Sequence, residues 1–151
     1  MLTNKMYNIY ERCLKRAEKS VVIYRHGCIA TYGGKIIATG NNTEKYDKST
    51  CTCHAEVNVL NKLYTTYCRK QQKEKILKIF KKTTLYVSRL SQGGFSETSA
   101  PCVHCLEVIK HYKIKKIIFN INNNYVCINP HNYLNPKYSD GHKYINICKK
   151  I

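Results

Sequence analysis

Two short stretches, Cys53-His54-Ala55-Glu56 and Pro101-Cys102-Val103-His104-Cys105, decide how this chain is read. The first has the form H-x-E and the second P-C-x-x-C. A neutral imidazole at His54 and thiolates at Cys102 and Cys105 offer a metal three protein ligands. That donor set suits zinc, and three ligands leave a fourth tetrahedral position for water, as a catalytic site requires. Zinc draws the pKa of water down toward neutrality. Glu56 stands close to the metal without being a ligand, so its carboxylate can carry protons. Cys102 and Cys105 reach one metal if they open a helix, and Pro101 suits such an opening. A site that is only structural would take a fourth protein ligand, for which Cys51, Cys53 and His104 are the candidates. Cys53 is not expected on the metal, because adjacent side chains diverge by about 100° around a helix.

Composition sets the frame. A length of 151 residues is read as one domain, residues 1–151, long enough for a real core. No apolar run reaches about eighteen residues, so no membrane helix is expected. Residues 1–20 are charged throughout and lack the apolar core of a signal peptide. Nine cysteines without such a signal point to a reducing, cytoplasmic setting in which thiols hold metals or fill cores. Cys13, Cys28, Cys68, Cys127 and Cys148 are expected as small buried apolar residues. The net charge of +17 points to nucleic acid or an anionic substrate. The excess is mostly Lys, accompanied by Asn, Ile and Tyr, and A/T-rich codons alone would produce that mixture. Whatever its origin, the charge attracts phosphates.

Residues 4–20 carry apolar side chains at helical spacing, with Lys and Arg on the other face. Residues 27–31 and 35–39 read as two strands joined by a hairpin at Gly33-Gly34. His26 precedes the first of them and reads as a hydrogen-bonded structural histidine. Gly40-Asn41-Asn42 ends the second. A helix from Cys53 runs on through Val59, Leu60, Leu63, Tyr64 and Tyr67. Residues 69–82 form a basic amphipathic segment, residues 83–89 a strand, and residues 91–100 a turn-rich loop that must end beside Cys102. That loop is a candidate gate, with Phe95 as the residue able to stack on a base. A helix continues from Cys102 through Leu106, Ile109 and Tyr112, and residues 115–119 form a buried strand. Only Asn122-Asn123-Asn124 separates it from a last strand at residues 125–128. A parallel pair needs a crossover of about a dozen residues, so these two strands should pair antiparallel. After Asn129 the chain shows no apolar helical pattern.

H-x-E followed by P-C-x-x-C is the signature of the zinc-dependent nucleobase deaminases. From the first helix to Asn120 the order of elements resembles the cytidine deaminase superfamily. The run His54-Ala55-Glu56-Val57-Asn58 is closest to the deoxycytidylate deaminases, which tend to carry H-A-E-x-N. The free-nucleoside enzymes usually have Cys where this chain has His54. An antiparallel final strand pair, in contrast, resembles the free-nucleoside branch.

The fold expected is therefore a three-layer α/β/α sandwich, a mixed sheet of about five strands with helices on both faces. The resemblance implies a zinc-dependent hydrolase acting on C–N bonds of a cyclic amidine. Water would attack C4 of cytosine, and Glu56 would bring protons to N3 and to the departing amine. It also implies that the Ala55 backbone N–H grips the base and Asn42 the sugar. A free nucleotide or nucleoside is the expected substrate, and a homo-oligomer the expected assembly. One rival is a deaminase acting on single-stranded DNA or RNA, on cytosine or on a tRNA adenosine, supported by the charge and Phe95. The other is a non-catalytic zinc-stabilised module that binds nucleic acid.

Overall fold

Thr3 starts the first helix: its hydroxyl accepts the Met6 N–H at 3.2 Å, satisfying one of the donors left over at a helix start. α1 (Asn4–Ala17) then buries Ile9, Tyr10, Cys13 and Ala17, keeps Lys5, Arg12 and Lys15 exposed, and leaves Arg16 half-buried. The computed structural model describes residues 2–21, 25–44 and 52–133. β1 (Arg25–Tyr32) and β2 (Lys35–Asn41) form the expected hairpin. Its turn needs glycine, because Gly33 and Gly34 both take positive φ, 58° and 77°.

Two short strands, β3 (Thr43–Glu44) and β4 (Thr52–Cys53), pair antiparallel and lead into α2 (Ala55–Arg69). α3 (Lys73–Phe80) is the basic amphipathic segment, laid on the core through Ile76 and Phe80. β5 (Thr83–Leu90), α4 (Val103–His111), β6 (Lys116–Ile121) and β7 (Asn124–Ile128) follow, and a short 3-10 turn closes the described chain at Pro130–Asn132.

The sheet is mixed, in the order β2-β1-β5-β6-β7. β5 and β6 are parallel and all other neighbours antiparallel. The last pair forms the expected ladder, from Asn120 opposite Tyr125 to Ile117 opposite Ile128. Asn122 and Asn123, with φ of 49° and 67°, make the turn. Alternation along the strands divides the core in two. Cys28, Ala30, Leu85, Val87, Ile117 and Phe119 face α2, α3 and α4. Ile29, Tyr86 and Ile118 face α1. This is the three-layer sandwich. Among the described residues no helix is long and apolar enough to cross a membrane.

Several expectations are corrected. The first helix stops at Ala17 rather than Ser20. The second begins at Ala55, not Cys53, which belongs to β4, so the argument from helical divergence does not apply to Cys53. Pro101 lies before the N-cap of α4 instead of in its first turn. Of the cysteines expected in the core, Cys13 and Cys28 are buried, Cys68 is half-buried and Cys127 is exposed. Cys127 shares the α1 face of the sheet with its register partner Ile118 but stands on the edge strand β7, which accounts for its exposure. Cys51, Cys148 and the segment after Tyr133 lie outside the described residues.

Candidate metal centre

His54 and Cys102 occupy equivalent places. Each is the N-cap of a helix, with extended backbone, so each side chain projects from a helix start instead of lying along its barrel. Cys105 sits one turn into α4 and is fully buried. The His54 Nδ1 lies 2.9 Å from Cys105 Sγ and 3.5 Å from Cys102 Sγ. All three donor atoms fall within 4.8 Å of one another, and no further His, Cys, Asp or Glu among the described residues joins the cluster. Tetrahedral zinc bonds of about 2.0–2.1 Å to nitrogen and about 2.3 Å to sulfur place N and S about 3.5 Å apart. The donor set therefore fits zinc, with His54 presenting Nδ1.

Electrostatics favour a cation here. Two helix starts aim their positive ends at the sulfurs, which stabilises thiolate. A hydrogen bond from the Cys105 thiol holds Cys102 down at about 3, and His54 beside it acts in the same sense against burial. Burial pushes Cys105 well above the ordinary thiol range. A metal ion held by both sulfurs displaces the proton that burial favours on Cys105.

Glu56, one residue into α2 past Ala55, is only 4% exposed. Burial raises its carboxyl above the usual range, and the neighbouring His54 partly offsets this. The carboxyl also meets the Cys105 thiol. A buried carboxyl with raised affinity for a proton, beside a metal site, suits proton transfer. Ala55 is fully buried at the first position of α2, where backbone N–H groups have no partner within the helix.

Asn42 is buried and held from several sides. Its Oδ1 accepts the His26 backbone N–H at 2.9 Å, and its carbonyl accepts the Ser20 hydroxyl at 2.9 Å. The His26 ring also meets Asn42, its Nδ1 lying 3.5 Å from the amide Nδ2. Asn58 supplies a role that the sequence did not assign. Its Nδ2 donates to the Asn41 carbonyl at 2.8 Å and its own N–H to the His54 carbonyl at 2.9 Å. One side chain on α2 therefore ties the end of β2, next to Asn42, to the helix that His54 begins.

Ser99 is the other residue that sequence reasoning missed. Its hydroxyl donates to the Val87 carbonyl at 2.7 Å and accepts the Asn120 N–H at 2.9 Å, and its own N–H donates to the Asn120 carbonyl at 2.8 Å. The chain is thereby pinned to β5 and β6 three residues before Cys102. The rest of the 91–100 loop is also tethered, by a Glu97 N–H to Arg89 carbonyl bond and a bridge between Leu90 and Ser96. Phe95 at its tip is 74% exposed, its ring lying over Gly93 rather than folded onto the metal donors.

Together the fold and the donor set define a zinc-dependent hydrolytic deaminase. Residues 4–121 match the family model described as "Cytidine and deoxycytidylate deaminase zinc-binding region", and the chain belongs to that family. Solved structures of similar fold include the cytidine deaminase of Burkholderia pseudomallei, 14% identical with a TM-score of 0.61, covering 91% of this chain and 100% of that one. The Mycobacterium leprae cytidine deaminase is 17% identical with a TM-score of 0.52, over 83% and 94% of the two chains. A dCMP deaminase from the cyanophage S-TIM5 is 21% identical over 73% and 80%, with a TM-score of 0.45. Among curated proteins no sequence matches.

Proposed function

We propose that this protein hydrolyses the exocyclic amine from cytosine in a free nucleoside or nucleotide, with deoxycytidylate as the reference substrate, giving uracil product and ammonia. The observation that carries this reading is the convergence of His54, Cys102 and Cys105 with Glu56 buried alongside. Zinc held by the three donors supplies Lewis-acid activation of water near neutral pH. Glu56 takes the proton that water loses and delivers it to N3 as C4 becomes tetrahedral, then takes the remaining proton of the C4 hydroxyl and delivers it to the amine as the C4–N bond breaks. The Ala55 N–H, at the open end of α2, holds the base. The Asn42 amide, oriented by the His26 N–H at its oxygen and by the His26 ring at its nitrogen, holds the sugar.

Two features favour a small free substrate over a polynucleotide. The H-A-E-x-N run resembles deoxycytidylate deaminases, and the antiparallel β6–β7 edge resembles the free-nucleoside branch. Phe95 is assigned a stacking role at the rim. The deciding experiment incubates the zinc-loaded protein with dCMP, deoxycytidine, CMP, cytidine and a cytosine-containing oligonucleotide, following ammonia and uracil product. Turnover of a free nucleotide or nucleoside at least tenfold above the oligonucleotide supports the reading. Preference for the oligonucleotide replaces it with the polynucleotide deaminase, and no turnover of any substrate leaves the zinc-stabilised binding module.

A further inference from the structure

The charges of α1 are sorted by flank. At about 100° per residue, Lys5, Arg12 and Arg16 fall within a stripe about 40° wide. Glu11 falls on the other side, where burial first and then this carboxylate raise the Tyr125 hydroxyl of β7. The stripe borders the β1–β2 hairpin. There Lys5, Asn8 and Arg12 of α1 and Gly34, Lys35 and Ile36 of the hairpin enclose a groove of about 420 Å³, floored by Ile9. Three cations line it and, among the described residues, no carboxylate does. Lys5 lies over the turn, its Nζ 2.6 Å from where a Gly34 Cβ would stand. The stripe continues past the groove to Arg16, whose Nε is buried without a hydrogen-bond partner.

We propose that this groove and stripe bind the phosphate backbone of nucleic acid without reading its sequence. Cations gathered at one place with no acid between them repel one another, and a polyanion removes that repulsion while releasing its own counterions. Lys5 to Arg16 covers about 16 Å of helix axis at about 1.5 Å per residue. That is about five phosphates at roughly 3.4 Å per nucleotide of one stacked strand, longer than a single nucleotide can engage. Among the described residues no aromatic side chain lines the groove, so contacts are made to phosphate and sugar, which position but do not specify. The stripe has no apolar flank of the kind that enters a lipid interface.

The groove is separate from the metal centre. β1 begins beside His26, which holds Asn42, and ends at Tyr32 before the turn. Six steps of about 3.3 Å put roughly 20 Å between that pair and the turn end of the groove, where Lys5 and Lys35 stand, whereas the Arg16 end of the stripe lies nearer, four residues before Ser20, which holds the Asn42 carbonyl. A strand lying in it tethers the protein and does not feed the reaction. The inference therefore stands independently of the substrate assigned above.

Fluorescence anisotropy tests it on the zinc-loaded full chain, with a labelled oligodeoxyadenylate of about 20 nucleotides, which contains no cytosine, between about 50 and about 300 mM salt. The variant Lys5→Gln/Arg12→Gln/Lys35→Gln should bind about 100-fold more weakly at about 0.1 M salt, with a salt slope shallower by about 2, from about 0.7 per phosphate contact. The control Lys75→Gln/Lys78→Gln/Lys82→Gln loses the same charge from exposed positions on and just after α3 and should stay within about threefold of wild type. Melting temperature, zinc content and turnover of the free substrate should match wild type in both. If the triple variant does not fold, the exposed single change Lys35→Glu should still cost more than about tenfold. Equal loss in groove and control variants overturns the proposal, because net charge alone would then bind the strand. So does absence of wild-type binding at about 0.1 M salt, or partition onto phosphatidylserine vesicles without oligonucleotide binding. A loss of free-substrate turnover in the groove variant overturns its separation from the metal centre.

Discussion

Gly27→Ala puts the seating of α1 on the sheet under a quantitative test. A Cβ at Gly27 would stand 2.3 Å from the Cys13 carbonyl oxygen, 2.7 Å from the Ala17 nitrogen and 2.9 Å from the Ser88 hydroxyl. Two of the three are backbone atoms and cannot rotate away, so α1 must lift by about 1 Å. Overpacking of this kind costs about 1–3 kcal/mol. The lift also breaks the 2.8 Å hydrogen bond from the Ser88 hydroxyl to the Cys13 carbonyl, a further loss of about 0.5–1.5 kcal/mol. A total near 3 kcal/mol corresponds to a melting temperature lower by about 6–12 °C at this chain length. Function should follow. Ser20, just past α1, holds the Asn42 carbonyl, so KM should rise several-fold, more than kcat falls. Thermal melts and steady-state kinetics of the zinc-loaded protein read both effects. Gly93→Ala is the internal control. Its Cβ would meet the Phe95 ring at 3.3 Å and the Ser91 hydroxyl at 3.8 Å, both side chains on an exposed loop, and should change stability by no more than about 0.5 kcal/mol. A Gly27→Ala protein melting within about 2 °C of wild type, or no lower than Gly93→Ala, would refute the packing argument.

Three further outcomes are expected. Glu56→Ala should keep one zinc per chain by metal analysis yet lose turnover by at least about 10²–10⁴-fold, and near-normal activity would remove Glu56 from the mechanism. Cys53→Ala should retain zinc and Cys102→Ala should lose it, with wild-type affinity weakening in acid as protons return to the two sulfurs; lost metal in Cys53→Ala would redraw the donor set. Asn58→Ala removes the 2.8 Å bond to the Asn41 carbonyl and should cost about 1–3 kcal/mol through the unpaired carbonyl, together with a raised KM. An unchanged KM would show that Asn42 is positioned without it.

The sheet was largely legible because its turns carry their own chemistry. Gly33-Gly34 and Asn122-Asn123 take the positive φ that two-residue hairpins demand, and both hairpins follow from the residue types alone. The metal donors were legible because no other fold-level need explains His54 with Cys102 and Cys105. The anchoring residues were not. Ser99 looks like any loop serine, and only the tertiary approach of Tyr10 on α1, Val87 on β5 and Asn120 on β6 makes its hydroxyl a three-way junction. Cys127 looks like Cys28, yet one belongs to the edge strand β7 and the other to the interior strand β1. Strand order, not composition, separates an exposed thiol from a buried one.

The same limit explains the error at the two helix starts. A sequence reader looks for Ser, Thr, Asp or Asn before a helix, since these side chains satisfy its first N–H groups. α1 obeys the rule through Thr3. α2 and α4 do not. His54 makes no capping bond, and Cys102 accepts the Cys105 N–H only at 3.5 Å. A conventional cap at either place would add about 0.5–2 kcal/mol of stability. That stability is forgone where the donors must project clear of the helix and face one another. The orphan N–H groups left behind are not idle, because their positive end stabilises the thiolates and leaves the Ala55 N–H open beside the metal donors. The helix boundaries were misplaced at the two positions where local preference gives way to the requirements of the metal centre.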